Sequence, residues 1–214
     1  MEENKYLKAA KTAREENNTA DAKRYYEMVK MDDPENAEAK FFYAYFTITE
    51  GTKGEAYDNY ITFIKTIGPS VKAIARSDMS DSEKEELLTD MAKTAKTMPM
   101  FIYNVLNSTS QTNSGKERLA KGNQKSISML YIFGDEIESV FSDNRNIMEN
   151  IAADLWMSAI ALQRQWLGVS FDKSYPDQYE AKIQKYIPSY KAPTTNKLRG
   201  CIAAILKFGS STQK

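Results

Sequence analysis

By type and spacing, three groups of carboxylates are the residues of this chain best suited to chemistry: Asp32-Asp33, Asp81-Glu83-Glu85-Glu86 and Asp135-Glu136-Glu138. Paired acids can share general acid and base work, and converging ones can hold a hard cation. Nothing in the pattern specifies either. A calcium loop needs a central Gly and a terminal Glu at fixed offsets, and neither stands where it should. The acids at 81–86 sit where a helix begins and complement its dipole, whereas Asp32 and Asp33 precede Pro34 and suit a helix stop.

The chain has no histidine. That removes Ser-His-Asp and Cys-His nucleophilic systems and histidine metal sites. Its one cysteine, Cys201, lies beside Ile202 with no histidine to activate it, so we expect a small core residue and not a nucleophile. Neither a Gly-x-Gly-x-x-Gly run nor a Gly-Lys-Ser/Thr phosphate loop occurs. We therefore expect no enzyme activity, no metal site and no cofactor, and look for recognition surfaces.

There are two. The run Phe41-Phe42-Tyr43-Ala44-Tyr45-Phe46 sweeps well over half of a helix at about 100° per residue, more than one buried seam requires. Near the C-terminus, Lys182, Lys185, Lys191, Lys197 and Arg199 alternate with Tyr179, Tyr186 and Tyr190, a composition that suits stacking on bases and contact with phosphates. Residues 151–214 hold nine Lys/Arg against four Asp/Glu, although the whole chain balances at 29 of each. A solvated amphipathic helix carries the same residues, so nucleic acid is the disfavoured partner.

Helices must position these residues. With only nine Gly and six Pro in 214 residues, and apolar side chains at helical spacings, the composition predicts an all-α protein. Tyr6, Ala9, Ala10 and Ala13 form one stripe of a first helix starting near Asn4. Asn17, Asn18 and Thr19 make a turn, with Thr19 as the expected cap of a second helix that reaches Met31 and stops at Pro34. Ala22 and Tyr26 recur 34 residues later as Ala56 and Tyr60. A period of that size marks stacked helix pairs.

The order Tyr6, Ala9, Ala10, Ala13, Ala22, Tyr26, Pro34 resembles the tetratricopeptide repeat. A second, weaker copy offers Tyr43, Ala44, Ala56 and Tyr60, with Gly68-Pro69 as its expected stop. Lys-Tyr-Leu-Lys-Ala-Ala, Ala-Lys-Arg-Tyr-Tyr-Glu-Met-Val and Asp-Pro-Glu-Asn-Ala-Glu-Ala-Lys-Phe-Phe-Tyr further resemble bacterial tetratricopeptide-like proteins without an assigned activity, many with a zinc ribbon before the repeats. The ribbon's cysteines are absent, so zinc is not carried over. The resemblance implies a non-catalytic adaptor or scaffold whose concave groove is lined by the first helix of each pair. Leu7, Lys8 and Lys11, with Phe41, Phe42 and Tyr45, are then the groove candidates. Lysines beside aromatics suit a peptide with an acidic or C-terminal carboxylate group. The competing reading makes the same aromatics plain core between successive helix pairs.

We expect residues 1–70 to be the repeats and 71–214 a helical extension packed as a bundle. Ser80 with Glu83, or Ser82 with Glu85, makes a capping box ahead of a helix that Pro99 should kink or break. The polar stretch 107–115 reads as a loop and a possible subdomain break. Beyond it come a helix at about 116–141, a nearly all-round apolar helix at 145–167 closed by Gly168, one from Ser174 to before Pro188, and a last one from Thr194 or Thr195 to Gly209. The most apolar run, Ile151 to Leu162, is short and contains Asp154, so no membrane span is expected. With no secretory signal pattern and one cysteine, the reading is a cytoplasmic protein that binds a protein or peptide partner, or self-associates.

Overall fold

The computed structural model describes residues 5–108, 110–166 and 174–191. Among them the chain is helical, with no strand. This is the all-α class that the composition predicts. The chain divides into two compact units, residues 1–87 and 88–214. The sequence-based boundary at residue 70 falls earlier because the helix through Pro69 continues, and the Lys84 Nζ on the next helix donates to the Ala75 carbonyl at 3.4 Å.

The first unit holds α1 (Lys5–Glu15), α2 (Thr19–Asp32), α3 (Ala37–Thr49), α4 (Ala56–Arg76) and the first turns of α5 (Asp81–Asn107). Each start is explained by its cap. Asn18, not Thr19, caps α2 by accepting from the Asp21 amide at 3.2 Å, and Asn17 ahead of it takes the left-handed conformation, φ 57°, that Asn tolerates better than most residues. Asn36 caps α3 through the Ala39 amide at 3.0 Å. Ser80 and Glu83 form the capping box at α5: the Ser80 amide donates to Glu83 Oε2 at 2.8 Å and the Glu83 amide to Ser80 Oγ at 3.4 Å. Four pairs of positions 34 residues apart are buried in both members: Ala10 and Ala44, Ala22 and Ala56, Tyr26 and Tyr60, and Val29 and Phe63. The expected stop at Gly68-Pro69 does not occur. Ile67, Val71 and Ile74 extend the buried stripe past the proline, and their burial, worth about 1.5–3 kcal/mol each, outweighs the roughly 3 kcal/mol that an interior proline costs.

The second unit contains the rest of α5, then α6 (Asn113–Phe141), a short α7 (Arg145–Ile147), a π turn (Met148–Ala152), α8 (Ala153–Trp166) and α9 (Ser174–Tyr186). The loop before α6 is shorter than the polar stretch 107–115 predicts. Thr112 accepts from the Gly115 amide at 3.0 Å and so recruits Asn113, Ser114 and Gly115 into the first turn. Pro99 lies inside a single helix from Asp81 to Asn107, where a break was one expectation. The predicted helix from Arg145 is continuous in α7, the π turn and α8, and Asn144 caps it. Nine of the fourteen residues of α8 are buried, which fits its apolar circumference. The predicted last helix from Thr194 or Thr195, with Cys201, Lys197 and Arg199, and the stop at Gly168 lie outside the described residues.

Two glycines let α6 approach its neighbours. A Cβ on Gly134 would lie 2.6 Å from Cδ1 of Trp156 and closer still to its Nε1, against a fully buried and rigid ring. One on Gly122 would meet Cδ1 of Leu106, the far end of a flexible side chain. Gly134→Ala should therefore cost about 1–3 kcal/mol in overpacking despite a better helix propensity. Gly122→Ala should be neutral or stabilise by up to about 1 kcal/mol. Urea unfolding of both variants, followed by circular dichroism, measures the difference, and equal effects would refute the close approach.

Candidate functional site

In the first unit the candidate site is built on α1 and α3. Glu38, at the N-terminal end of α3, is only 4% exposed, so its charge needs partners. Tyr26 on α2 donates its hydroxyl to Glu38 Oε1 at 2.9 Å, and Lys11 on α1 reaches Oε2 at 3.4 Å. Arg14, one turn beyond Lys11, lies over the Phe42 ring with 4.1 Å from Cζ to the centroid. This chain of contacts places the Leu7-Lys8-Lys11 side of α1 beside the Glu38 side of α3. Tyr45 stands on that side too, seven residues from Glu38 and half-buried.

The six groove candidates separate on this geometry. Lys8 is exposed, and Leu7, Lys11 and Tyr45 are half-buried. Phe41 and Phe42 are fully buried and must be corrected from groove to core. Phe41 packs edge-on against Phe63 at 4.9 Å, and Phe42 stacks on Tyr26 at 5.4 Å. The physical reason is position: these two side chains face α4 and α2, the helices on either side of α3 in the stack.

On the other flank of α3, Tyr43 donates to Glu27 Oε1 at 3.2 Å, and the Lys30 ammonium lies 3.8 Å from its ring centroid. Burial, then the Glu27 carboxylate, push the Tyr43 hydroxyl above its ordinary value. Burial and nearby Lys40 hold Lys30 below its own, against the pull of Glu27.

The second unit carries a cluster that sequence reasoning divided between two unrelated features. Asp135 and Glu138, one turn apart on α6, face Tyr179, Lys182 and Tyr186 on α9. Asp135 accepts from Tyr179 Oη at 2.6 Å and from Lys182 Nζ at 2.8 Å. Glu138 accepts from Lys182 Nζ at 2.8 Å and from Tyr186 Oη at 2.9 Å, with Lys185 Nζ 3.7 Å away. The Lys182 ammonium also sits 5.1 Å from the Trp156 ring and 5.3 Å from that of Tyr179. Burial works against both charged partners, yet the mutual hydrogen bonds win: Glu138 is held below the usual carboxylate value and Lys182 above the usual lysine value.

Behind Tyr179, Tyr131 stacks on its ring at 3.9 Å and donates to Gln163 Oε1 at 2.6 Å. Burial drives both phenols above their ordinary range. Trp156 Nε1 and Gln163 Nε2 are buried without a hydrogen-bond partner.

This arrangement corrects the basic-aromatic surface. Tyr179 and Tyr186 are buried and Lys182 is bound to two carboxylates, so these three are not available for stacking or phosphate contact. The signal was present in the sequence as complementary spacing, acids at i and i+3 against Tyr, Lys and Tyr at i, i+3 and i+7. What the sequence did not show is that the two helices meet.

Among the described residues, no group of three or more His, Cys, Asp or Glu is placed to hold a metal ion. No described helix is long and apolar enough to cross a membrane. Compared with protein-family models, with curated proteins and with solved structures, the chain matches none.

Two measurements test these networks. Tyr26→Phe leaves the buried Glu38 without its hydroxyl donor and should cost about 1–3 kcal/mol of stability in urea unfolding. An unchanged midpoint would show that the hydrogen bond is dispensable. Because the folded pKa of Glu138 is depressed, its stabilisation is fully present above the unfolded carboxylate pKa and is lost as pH falls through the folded value. Thermal melts between pH 7 and pH 3 should show that loss, and Lys182→Met should flatten it. A Lys182→Met variant with the same acid dependence as the parent would refute the coupling.

Proposed function

We propose that residues 5–87 act as a non-catalytic adaptor, binding a peptide or protein segment along α1 and the half-buried Tyr45 of α3. The observation that carries this reading is the Lys11–Glu38 bridge, which sets Lys11 of α1 against the N-terminal end of α3, on the side of α3 where Tyr45 stands two turns on. The repetition of buried positions at 34 residues agrees with it, as does the resemblance of the sequence to tetratricopeptide repeats. The candidate contacts are Leu7, Lys8, Lys11 and Tyr45: an apolar and an aromatic group, the exposed Lys8 ammonium, and the Lys11 side chain that already pairs with Glu38. The Glu38 charge is paired with Lys11 and accepts a hydrogen bond from the Tyr26 hydroxyl, so the face is not an acidic one. A segment that presents a carboxylate, from an acidic side chain or a C-terminus, matches this set.

The natural test is selection of binders from a displayed library of acidic peptides with free C-termini, followed by fluorescence anisotropy. Lys8→Glu reverses the exposed charge without touching Glu38, whereas Lys11→Glu would set two carboxylates together and threaten the fold. We expect Lys8→Glu to weaken the selected peptides about tenfold or more and to leave the circular dichroism spectrum unchanged. Peptides that bind Lys8→Glu as well as the parent chain would place recognition elsewhere.

A further inference from the structure

We propose that α9 is a releasable latch, a helix held on α6 and α8 by the polar ladder to Asp135 and Glu138 and able to leave them as a unit while the rest of residues 88–166 stays folded. Its apolar anchorage is small. Only Pro176, Tyr179, Ile183 and Tyr186 are buried, against nine residues of α8. Two of those four anchors, Tyr179 and Tyr186, end in hydroxyls that bond to the ladder, and the third tooth between them is Lys182.

An ion pair between Arg164 of α8 and Glu180 also ties α9 down. Two nearby pairs do not involve α9: Arg145 with Glu149, and Lys96 with Asp154. The helix is thus fixed by a few charge-assisted hydrogen bonds concentrated on two carboxylates, and helices with few buried apolar contacts open at the lowest free energy in a domain.

α9 also covers aromatic groups. It lies over the Trp156 ring and, through Tyr179, over the Tyr131–Gln163 pair. Lifting α9 exposes an aromatic face formed by Tyr131 and Trp156. Neutralising Asp135 and Glu138 removes the teeth from the α6 side. Neutralising Lys182 removes the central tooth from the α9 side.

Hydrogen–deuterium exchange of the full chain, read by mass spectrometry, tests this at neutral pH. In the parent chain, segments within 174–186 should exchange at least about tenfold faster than segments within 127–137 and 153–163. The double variant Asp135→Asn with Glu138→Gln should accelerate 174–186 by about a further tenfold or more and leave the other two within about twofold. Lys182→Met, which keeps the side-chain bulk over the rings, gives the same outcome in a milder form should the double variant not fold. If 174–186 exchanges with α6 and α8 in the parent chain, or if the Lys182→Met variant accelerates all three together, α9 belongs to the common core and the latch is refuted.

Discussion

A Cβ on Gly134 would collide with the Trp156 indole, so α6 and α8 are separated by little more than one ring. This use of a small residue to admit a large one recurs through both units. In the first, Ala10, Ala22, Ala44 and Ala56 are buried beside helices whose aromatics fill the remaining space: Tyr26 against Phe42 and Phe46, Phe63 against Phe41, Tyr45 and Tyr60. Dense packing leaves no tolerance for exchanging the two kinds of residue. The alternation of small and aromatic positions therefore fixes which helix faces meet, and through that which polar groups are brought together.

Polar contacts then divide by depth. Glu38 is enclosed, and its two partners come from different helices, Tyr26 on α2 and Lys11 on α1. A buried carboxylate with partners from two directions resists any sliding of α1 along α3, because a shift leaves the charge unpaired, and that costs more than the pair itself stabilises. Asp135 and Glu138 are more open, and both their hydroxyl partners and their lysine come from the single helix α9. All of those bonds are lost together or kept together. The same chemistry is thus a register lock in one unit and a detachable fastening in the other.

Much of this was legible in the sequence. The 34-residue recurrence of Ala22 and Tyr26 identified positions that are buried, and one of the two candidate capping boxes, Ser80 with Glu83, lies at the start of α5. Three features were not legible, each for a physical reason. Pro69 read as a stop, and Pro99 as a kink or break, because propensity counts the missing amide and the ring clash but not the buried stripe on the far side. Phe41 and Phe42 read as groove residues because a run of aromatics shows that several directions are apolar and does not show which directions other helices occupy. The acids of α6 and the Tyr-Lys-Tyr teeth of α9 read as unrelated features because 44 to 48 residues of chain lie between them. Spacing within one helix is visible in a sequence, whereas pairing between distant helices is not.

The two surfaces would make different demands of a partner. On the face of α1 and α3, Lys11 is already engaged and Lys8 is exposed, so binding there adds contacts without breaking any that hold the fold. Its energetic cost is mainly the ordering of the ligand. The face under α9 is complete as it stands, with Asp135 and Glu138 saturated by tyrosines and lysine, and any competitor must first displace seven residues' worth of α9 spacing from Tyr179 to Tyr186. Affinity there is reduced by the fraction of molecules in which α9 is open. A competitor would gain only by reproducing the tyrosine and lysine teeth at the same intervals. The face of α1 and α3 would therefore take a partner directly, whereas the covered one would respond to how firmly two carboxylates hold one lysine.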